Sequence, residues 1–320
     1  MNQHFLKPML PTLSENLPEG DNWVYEVKYD GFRCLLYWDA ESIIMTSRNG
    51  HPLHHIFPEI ATFLMNHKNN VSPYFPLLMD GELCVLDNPF KASFENIQKR
   101  GRLKSSEKIK QASSAFPSSF CAFDLLKVNG KSICNEPFLK RKQVLNKVCK
   151  EIGIPIQNVS LNSPFNYIPF THDLNHIQET VVHHLSEGIV AKKTTSKWSA
   201  SIRTSNWIKV KNLMIGTFFL LGVDTENGFF HVGVLKENSV TFIGLFAHGI
   251  SDQEKEALIQ IVKNNQSGQK GSLITIAPSI CVELSYLEMY KNQLRQPRFL
   301  RFRFDVKWED CTWENLQKNN

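Results

Sequence analysis

The sequence predicts an α+β protein with two domains, the first built on antiparallel sheets and helices and the second a small β-barrel. Two observations lead to this prediction. Strand and helix patterns are mixed over residues 1–212, whereas short strands with glycine turns dominate residues 213–320. The length of 320 residues also fits about two domains better than one.

The first domain opens with two strands in residues 23–38, on either side of a Tyr-Asp-Gly turn. Further strands are predicted at residues 42–47, 77–86, 120–126 and 188–193. Helices are predicted at residues 58–67, 93–100, 137–151 and 173–185. Residues 66–72 and 104–119, which are rich in Asn, Lys and Ser, are predicted to be loops.

The second domain has a different pattern. Residues 216–247 contain three strands with glycine turns, and one helix is predicted from Asp252 to Asn264. Strand patterns return at residues 274–290 and in the basic tail that follows. Several strands with one helix in roughly 105 residues favour a small barrel such as an OB-fold.

The composition excludes several classes of protein. Hydrophobic residues make up 42% and charged residues 21%, as in ordinary globular proteins. No apolar run reaches the ~18 residues of a membrane span, and residues 1–13 lack the features of a signal peptide. The 7 cysteines are odd in number and include no CxxC pair, which argues against a disulfide framework or a structural zinc site. We expect a cytoplasmic protein with no membrane partner.

Positive charge is concentrated in three segments, although the formal net charge is only +5. Residues 187–211 and residues 291–307 each contain six basic residues and one acid. The third cluster consists of Lys99, Arg100, Arg102 and Lys104. One such cluster is often solvated surface, but three together favour a protein that binds the phosphates of a nucleic acid.

Lys28 lies at the end of the first strand of residues 23–38, close to the turn at Gly31. Strand alternation places Glu26 and Lys28 on one face. On its own, such a lysine is more often a surface residue than a nucleophile. A nucleophilic lysine needs a free amine, so its pKa must fall below the usual ~10.4 through burial or nearby cations. The hypothesis therefore requires other positive groups near Lys28.

Candidates for those groups lie in the segment Trp-Ile-Lys-Val-Lys at residues 207–211. A period of two places Lys209 and Lys211 on one strand face together with Trp207. Two neighbouring ammonium groups can hold a phosphate and lower the pKa of a third lysine. The ordinary alternative is a half-exposed strand with one polar face.

Acidic and aromatic residues supply further candidates. Asp80 and Glu82 share a strand face, and Glu187 precedes the strand at residues 188–193. Three carboxylates converging beside phosphates would suit Mg²⁺, which prefers oxygen ligands and keeps several waters. Each acid alone is more often a turn or surface residue. Phe123 lies in an apolar strand; it is either a core residue or an aromatic face on which a purine stacks.

Several of these segments resemble motifs of the covalent nucleotidyltransferase superfamily, which contains DNA ligases, RNA ligases and mRNA capping enzymes. The pattern Lys28-x-Asp30-Gly31-x-Arg33 resembles motif I. In order follow SRNG at 47–50, DGEL at 80–83, FDLL at 123–126, EGIVAK at 187–192 and WIKVK at 207–211, which resemble motifs Ia, III, IIIa, IV and V. The sequences of these segments are most similar to those of bacterial ATP-dependent DNA ligases of the LigD type. LigD proteins often add polymerase or nuclease domains, and we expect a ligase core without them.

The tail resembles motif VI, with one difference. The family usually ends this motif with Arg-x-Asp-Lys, whereas Arg303-Phe304-Asp305-Val306-Lys307 displaces the lysine by one residue. The resemblance implies that Arg301 and Arg303 correspond to arginines of motif VI. It leaves open whether Lys307 replaces the usual lysine.

The resemblance implies an adenylation (nucleotidyltransferase) domain over residues 1–212, an OB-fold domain over residues 213–320 and a reaction in three steps. Lys28 attacks the α-phosphate of ATP and becomes lysyl-AMP. The AMP then moves to the 5′-phosphate at a nick, and the 3′-hydroxyl displaces it and seals the strand. ATP is thus the AMP donor, and Mg²⁺ is the expected metal, with Mn²⁺ as an alternative.

The resemblance also implies roles for individual residues. Glu82 and Glu187 are expected to bind the metal. The expected catalytic residues are Lys28, Asp30, Lys209 and Lys211, of which the last two also hold the AMP phosphate. The other expected contacts are Glu26 near the adenine, Phe123 on the adenine face, Arg33 on the ribose or nick phosphate, Arg48 on the DNA end, and Arg301 and Arg303 on the pyrophosphate. Closure of the barrel over ATP would need a hinge at Lys211–Gly216.

The expected substrate is nicked or broken double-stranded DNA, bound by a monomer in the bacterial cytosol or nucleoid. Non-homologous end joining would add a Ku-type end-binding protein and a separate repair polymerase as partners. Base-excision repair and a role in a mobile element are equally compatible with the sequence. Two other functions stay open: an RNA ligase or capping-type enzyme of the same superfamily, and a DNA-binding relative without catalysis. The second would need a broken motif, whereas motifs I to V are intact.

Overall fold

The computed structural model describes residues 6–318. It divides into two compact units, one ending at Asn212 and the other beginning at Leu213. Residues 1–5 and 319–320 lie outside the described residues. The prediction that residues 1–13 contain no signal peptide therefore concerns a segment whose first five residues are not described. Within the described part, no helix is both long and apolar enough to span a membrane.

The first unit contains twelve strands and six α-helices among its described residues. The strands are β1 Leu10–Leu13, β2 Trp23–Lys28, β3 Phe32–Trp38, β4 Ile43–Ser47, β5 Leu77–Cys84, β6 Leu86–Asn88, β7 Lys91–Ala92, β8 Ser119–Val128, β9 Lys131–Ser132, β10 Phe165–Tyr167, β11 Gly188–Lys193 and β12 Arg203–Lys211. The helices are α1 Pro58–Asn66, α2 Lys68–Val71, α3 Phe94–Gly101, α4 Ser106–Ala115, α5 Phe138–Ile152 and α6 Leu174–His183, and a short 3₁₀ helix spans Ser72–Tyr74.

Two large sheets form the body of the first unit. One has the strand order β1-β12-β11-β2, and the other has the order β10-β8-β5-β3-β4 with β9 beside β8. Alternation in β3 sends Leu36 and Trp38 into a core that includes Leu145 of α5. The opposite face of the second sheet shares another core with the first sheet, where Phe123 meets Trp207. The two sheets therefore enclose a packed layer, at whose edge polar side chains can be held rigidly.

The register of the first sheet brings distant segments of the chain together. Strand β11 is antiparallel to both of its neighbours, so that Gly188 lies opposite Lys28 on one side and Lys211 on the other. Two residues further, Val190 lies between Glu26 and Lys209. Because β11 begins immediately after Glu187, that carboxylate lies beside the end of β2 and hence beside Lys28.

The second unit is a curled, mostly antiparallel sheet with one long helix. Its strands are β13 Met214–Asp224, β14 Phe230–Lys236, β15 Ser239–Phe246, β16 Gln266–Lys270, β17 Leu273–Ile276, β18 Cys281–Tyr286, β19 Met289–Tyr290, β20 Gln293–Leu294 and β21 Arg298–Phe302. Its helices are α7 Asp252–Asn264, α8 Trp313–Lys318 and a 3₁₀ helix at Trp308–Asp310. Strand β13 is long enough to pair with β18 through residues 214–219 and with β17 through residues 222–224, while residues 219–223 also pair with β14.

Helix α7 has the bounds that the sequence predicts. A capping box at Ser251 and Glu254 satisfies two backbone N–H groups at its start. Its buried residues Leu258 and Val262 are four positions apart and anchor it to the sheet.

The prediction of a loop at residues 104–119 is wrong, because helix α4 occupies Ser106–Ala115. Only Ile109 of this helix is buried, so its hydrophobic periodicity is weak and its serines dominate the pattern. The loop predicted at residues 66–72 likewise contains helix α2. Strand β1 was not predicted; it is four residues long and contains Pro11, which is tolerated because the strand lies at the edge of its sheet.

Gly188 is expected to be essential to this arrangement. Its φ is +150°, and a Cβ placed on it would lie 2.1 Å from the carbonyl oxygen of Val210. We predict that Gly188→Ala lowers the free energy of unfolding by roughly 2 kcal/mol or more, through backbone strain and the clash with β12. Urea unfolding measures this change.

A matched control separates strain from the clash. Gly20 has a φ of +107°, but no atom lies within 4 Å of the position that a Cβ would occupy on it. Gly20→Ala should therefore cost only about 1 kcal/mol. Equal losses at the two glycines would contradict a steric role for Gly188.

Candidate active site

A cavity opens at the edge of the layer between the two sheets. Seven of its lining residues were expected at the nucleotide site from the sequence: Glu26, Lys28, Arg33, Arg48, Glu82, Phe123 and Lys209. The remaining lining residues are Leu10, Pro11, Val27, Tyr29, Ile168, Val190, Lys192 and Trp207. The cavity thus combines cations, two carboxylates and aromatic faces.

Lys28 forms an ion pair with Glu187 at this cavity. Burial lowers the pKa of the Lys28 ammonium, but the carboxylates of Glu187, Glu82 and Asp30 raise it, and the net pKa is above the ordinary value. The expectation that neighbouring lysines lower the pKa of Lys28 is therefore wrong for this structure. The physical reason is that three carboxylates act on the ammonium, one of them in direct contact.

The expected repulsion between lysines lowers the pKa of Lys209 and not that of Lys28. Burial, followed by the charges of Lys28 and Lys211, lowers the pKa of Lys209. Lys209 lines the cavity, whereas Lys211 borders a separate shallow depression with Gly188 and Asn212. The two lysines are thus electrostatically coupled, but only Lys209 faces the cavity that contains Lys28.

The three carboxylates considered as metal ligands do not converge. Asp80 is fully buried and accepts two hydrogen bonds from Arg33, at 2.7 and 2.8 Å, and one from Trp198 at 3.0 Å. It holds Arg33 in place and is turned away from the cavity. Strand alternation predicted the shared face of Asp80 and Glu82 but not this pairing.

Glu82 and Glu187 are close enough for their charges to interact, and their carboxylate oxygens are the kind of donor that a hard divalent cation prefers. Burial, together with the charges of Glu187 and Asp30, outweighs the opposing effect of Arg33 and Lys28 and raises the pKa of Glu82 to about 8. A cation bound to both carboxylates would relieve this unfavourable burial of negative charge. No cluster of three or more His, Cys, Asp or Glu side chains with metal-binding geometry occurs among residues 6–318. Two carboxylates suffice for Mg²⁺, because it commonly keeps most of its waters and is bound by one or two carboxylates plus phosphates.

Asp30 does not line the cavity. Its negative charge nevertheless raises the pKa of both Lys28 and Glu82. Its effect in this structure is therefore electrostatic.

Arg33 and Phe123 form one rigid wall of the cavity. The guanidinium carbon of Arg33 lies 4.2 Å from the centre of the Phe123 ring. The ammonium of Lys192 lies 4.2 Å from the same ring centre and 4.4 Å from that of Trp207. Such cation–π contacts are stronger in a desolvated site, and they fix the aromatic face in one orientation. Arg48 is exposed at the mouth of the cavity.

Glu26 is buried and shared between two buried lysines. Its Oε1 accepts a hydrogen bond of 2.6 Å from Lys142, and its Oε2 lies 2.5 Å from the Lys192 ammonium. Burial and the nearby Lys142 ammonium lower the pKa of Lys192 to about 8, although Glu26 opposes this. Glu26 also raises the pKa of Lys142 above its ordinary value, in opposition to burial.

The two arginines of the tail lie in the second unit. Arg301 pairs with Glu283 at 2.7 Å. Arg303 donates to Glu283 at 2.7 Å and to both carboxylate oxygens of Asp305. Hydrogen bonds from both arginines lower the pKa of Glu283. Lys307, the displaced lysine, is exposed.

The family described as "ATP dependent DNA ligase domain" matches residues 7–211. The chain belongs to this ligase family. It is 36% identical over 313 residues to the bifunctional non-homologous end joining protein LigD of Bacillus subtilis, which covers 98% of this chain and 51% of that protein. It is 25% identical to DNA ligase 2 of Methanosarcina mazei, over 96% of this chain and 57% of that protein. The ligase chain therefore spans about half the length of the curated relatives it matches.

Solved ligase structures share the fold. A mycobacterial DNA ligase D complexed with ATP and MES aligns with a TM-score of 0.55 at 21% identity, covering 96% of this ligase chain and 98% of that one. The structure named Pmar-Lig_PreS3 aligns with a TM-score of 0.65 at 18% identity, covering 93% and 68%. The predicted fold class, an α+β adenylation domain followed by an OB-fold domain, is confirmed.

Sequence reasoning assigned no role to several residues of this ligase site. Lys192 and Trp207 lie opposite each other across β11 and β12. A period of two applied to residues 187–192 would have placed Lys192 on the same face as Val190. Lys142 lies behind the cavity on α5, and no pattern along the sequence connects it to Glu26.

The buried Lys192 should make the stability of this ligase dependent on pH. Its pKa is depressed in the folded state, so the unfolded state binds more protons between about pH 8 and the ordinary lysine pKa. We predict that the free energy of unfolding of the wild type, relative to Lys192→Met, rises over this window by up to roughly 3 kcal/mol.

Urea unfolding at several pH values between 7 and 10.5 tests this prediction. Lys197→Met, at an exposed lysine of the same segment, should show no such trend relative to the wild type. A pH-independent difference between the wild type and Lys192→Met would contradict the prediction.

Proposed function

We propose that this chain is the catalytic core of an ATP-dependent DNA ligase, which seals nicked or broken double-stranded DNA through a lysyl-AMP intermediate. The observation that carries the proposal is the position of Lys28. It lines a cavity that also holds aromatic faces for a base and cations for phosphates, and it pairs with Glu187, which together with Glu82 would supply two carboxylates for a metal. Membership of the ligase family supports the same function.

In the first step, Nζ of Lys28 forms a bond to the α-phosphorus of ATP while the bond to the pyrophosphate oxygen breaks. Lys28 must first lose a proton, and the ion pair with Glu187 opposes that loss. Engagement of Glu187 by Mg²⁺ or Mn²⁺, with Glu82, would supply charge neutralisation at the phosphates. Lys209, whose pKa is lowered by burial and by the charges of Lys28 and Lys211, offers its ammonium to the AMP phosphate.

The other expected roles follow from position. Phe123 offers its ring to the adenine, and Glu26 lies close to it, because the Lys142 ammonium binds both the Glu26 carboxylate and the Phe123 carbonyl. Arg33 is held by Asp80 with its guanidinium against Phe123, where it can contact the ribose or a nick phosphate. The exposed Arg48 suits the DNA end. Lys211 acts on the phosphate through its charge, and Asp30 orients the charges around Lys28.

Two later steps complete the reaction. AMP moves from Lys28 to the 5′-phosphate at the nick, which restores the lysine. The 3′-hydroxyl then attacks that phosphate, forms the phosphodiester bond and releases AMP. Both are phosphoryl-type transfers, in which positioning and charge neutralisation contribute most of the rate.

Double-strand break repair by non-homologous end joining is the proposed pathway, because the relative in Bacillus subtilis carries that name. A Ku-type end-binding protein and a separate repair polymerase are the corresponding partners. Sealing of nicked, cohesive and blunt duplexes with and without Ku would test the pathway. Ku-independent sealing limited to nicks would contradict it and favour a role in excision repair.

An RNA ligase or a capping-type enzyme is the competing function within the superfamily. Comparison of ATP with GTP, and of nicked DNA with nicked RNA, separates the three. Preferential use of GTP, or sealing of RNA alone, would contradict the DNA-ligase proposal.

Loss of the nucleophile gives the most direct test. We predict that Lys28→Ala reduces transfer of label from α-labelled ATP to the protein to background, because no other group replaces the amine. Lys140→Ala, at an exposed lysine paired with Glu136, is the matched control and should retain full labelling. Covalent AMP on the Lys28→Ala protein would disprove the assignment.

The tail arginines should act in the first step alone. We predict that Arg303→Ala slows formation of lysyl-AMP by roughly 10²-fold, because a cation on the departing pyrophosphate is lost. Single-turnover labelling measures the effect.

Sealing of a nick that already carries AMP should change by only a few-fold in the Arg303→Ala protein, because no pyrophosphate leaves in that step. Arg298→Ala, at an exposed arginine of β21, is the control for loss of positive charge. Equal defects in labelling and in sealing would argue for a structural role of Arg303.

A further inference from the structure

Lys142 is the feature of the structure that the proposed mechanism does not use. It lies on α5, outside every motif noted in the sequence, and its side chain is 1% exposed. It does not line the cavity. A lysine so deeply buried is costly to desolvate unless all of its hydrogen bonds are made.

The Lys142 ammonium makes all three hydrogen bonds that it can donate. It donates to Oε1 of Glu26 at 2.6 Å, to the carbonyl of Phe123 at 3.1 Å and to the carbonyl of Ile168 at 2.6 Å. An ammonium group has three N–H donors, so none is left for a ligand. The ring of Tyr167, whose centre is 4.4 Å from the ammonium, covers the group as well.

The three acceptors share a property that simple packing does not explain. Glu26 lies in β2, Phe123 in β8 and Ile168 just after β10, so they come from both sheets. All three residues line the cavity, whereas Lys142 itself does not. Through its hydrogen bonds, one buried ammonium therefore links three separate parts of the cavity wall.

Stability alone does not require this arrangement. Buried ion pairs are often no more stabilising than apolar side chains of similar volume, because desolvation offsets their attraction. A methionine at position 142 could fill the space without a charge. What it could not do is donate to Oε1 of Glu26 and to the carbonyl of Phe123 at once, and so fix the carboxylate relative to Phe123.

We propose that Lys142 is a positioning residue that sets the base-reading end of the nucleotide cavity, so that Glu26 selects adenine over guanine. The inference deepens the proposed function and rests on it. An ionised carboxylate only accepts hydrogen bonds, which suits the 6-amino group of adenine and repels the 6-oxo group of guanine. Lys142, with no N–H to spare, cannot offer guanine a compensating donor.

The neighbouring charges bear on the same selection. Lys192 also contacts Glu26, at 2.5 Å, and lines the cavity. It is the cation that could turn towards a guanine oxygen if Glu26 were released. Lys142 binds Glu26 from the far side, and Glu26 in turn holds the Lys192 ammonium close to it.

Label transfer from α-labelled ATP and GTP to the intact protein tests the proposal. Lys142→Met should raise the KM for ATP about tenfold or more and lower the preference for ATP over GTP by a similar factor, the size expected for a lost charged hydrogen bond. The maximal rate at saturating ATP should change by less than about threefold, because Lys28 is not touched. Lys140→Met, an exposed lysine on the same helix, should change neither quantity.

Two further variants separate positioning from general damage. Lys142→Arg keeps the charge and should retain part of the nucleotide preference; it carries the test if Lys142→Met fails to fold. Glu26→Gln should lose the preference by itself, and Lys142→Met should add little to it if Lys142 acts through Glu26.

A folded Lys142→Met protein with unchanged KM and unchanged ATP preference would overturn the inference, as would full additivity with Glu26→Gln. Failure of the proposed function would look different, because the wild type would then form no covalent nucleotide from ATP at all.

Discussion

Burial of charge between two sheets is the constraint on which the site depends. A carboxylate withdrawn from water costs several kcal/mol unless a cation and hydrogen bonds compensate it. The first unit meets this constraint with pairs that link separate elements: Glu26 with Lys142 and Lys192, Asp80 with Arg33, Asp124 with Arg141, and Glu187 with Lys28. Each pair fixes two strands, or a strand and a helix, relative to each other. The same pairs orient the cations that face the cavity. The ion pairs that link the elements of the fold therefore also position the charged groups of the site.

The pairing also governs the protonation of Lys28, the proposed nucleophile. Lys28 is kept protonated by the carboxylates around it, while burial favours the free amine. Burial, together with the charges of Glu187 and Asp30, raises the pKa of Glu82 to about 8, so the charged form of this carboxyl is unfavourable in the site. Anything that neutralises these carboxylates therefore shifts Lys28 towards its reactive form. A site balanced in this way couples arrival of its reaction partners to activation of the amine.

Much of this could be predicted from the sequence, and the failures have physical causes. Strand alternation correctly grouped Glu26 with Lys28, and the motifs located most of the cavity wall. Alternation could not reveal that Asp80 is occupied by Arg33, because cross-strand pairing depends on register and not on periodicity. The pKa of Lys28 was predicted in the wrong direction because sequence spacing identified the cations but not the direct contact with Glu187. The role of Lys142 could not be predicted, because its hydrogen-bond partners are 19 to 116 residues away along the chain. Helix α4 was missed because it buries a single side chain.

The first sheet is assembled from the two ends of its unit. Its strands β1 and β2 precede β11 and β12 along the chain, and Lys28 is 159 residues from Glu187. On the ribosome, at about 5 to 20 residues per second, the early strands would wait on the order of ten seconds for their partners. During that time β2 has an unpaired edge, which is a template for association with other chains. Translation speed and chaperone access between these segments should therefore govern the yield of soluble protein more than the intrinsic stability of the finished fold.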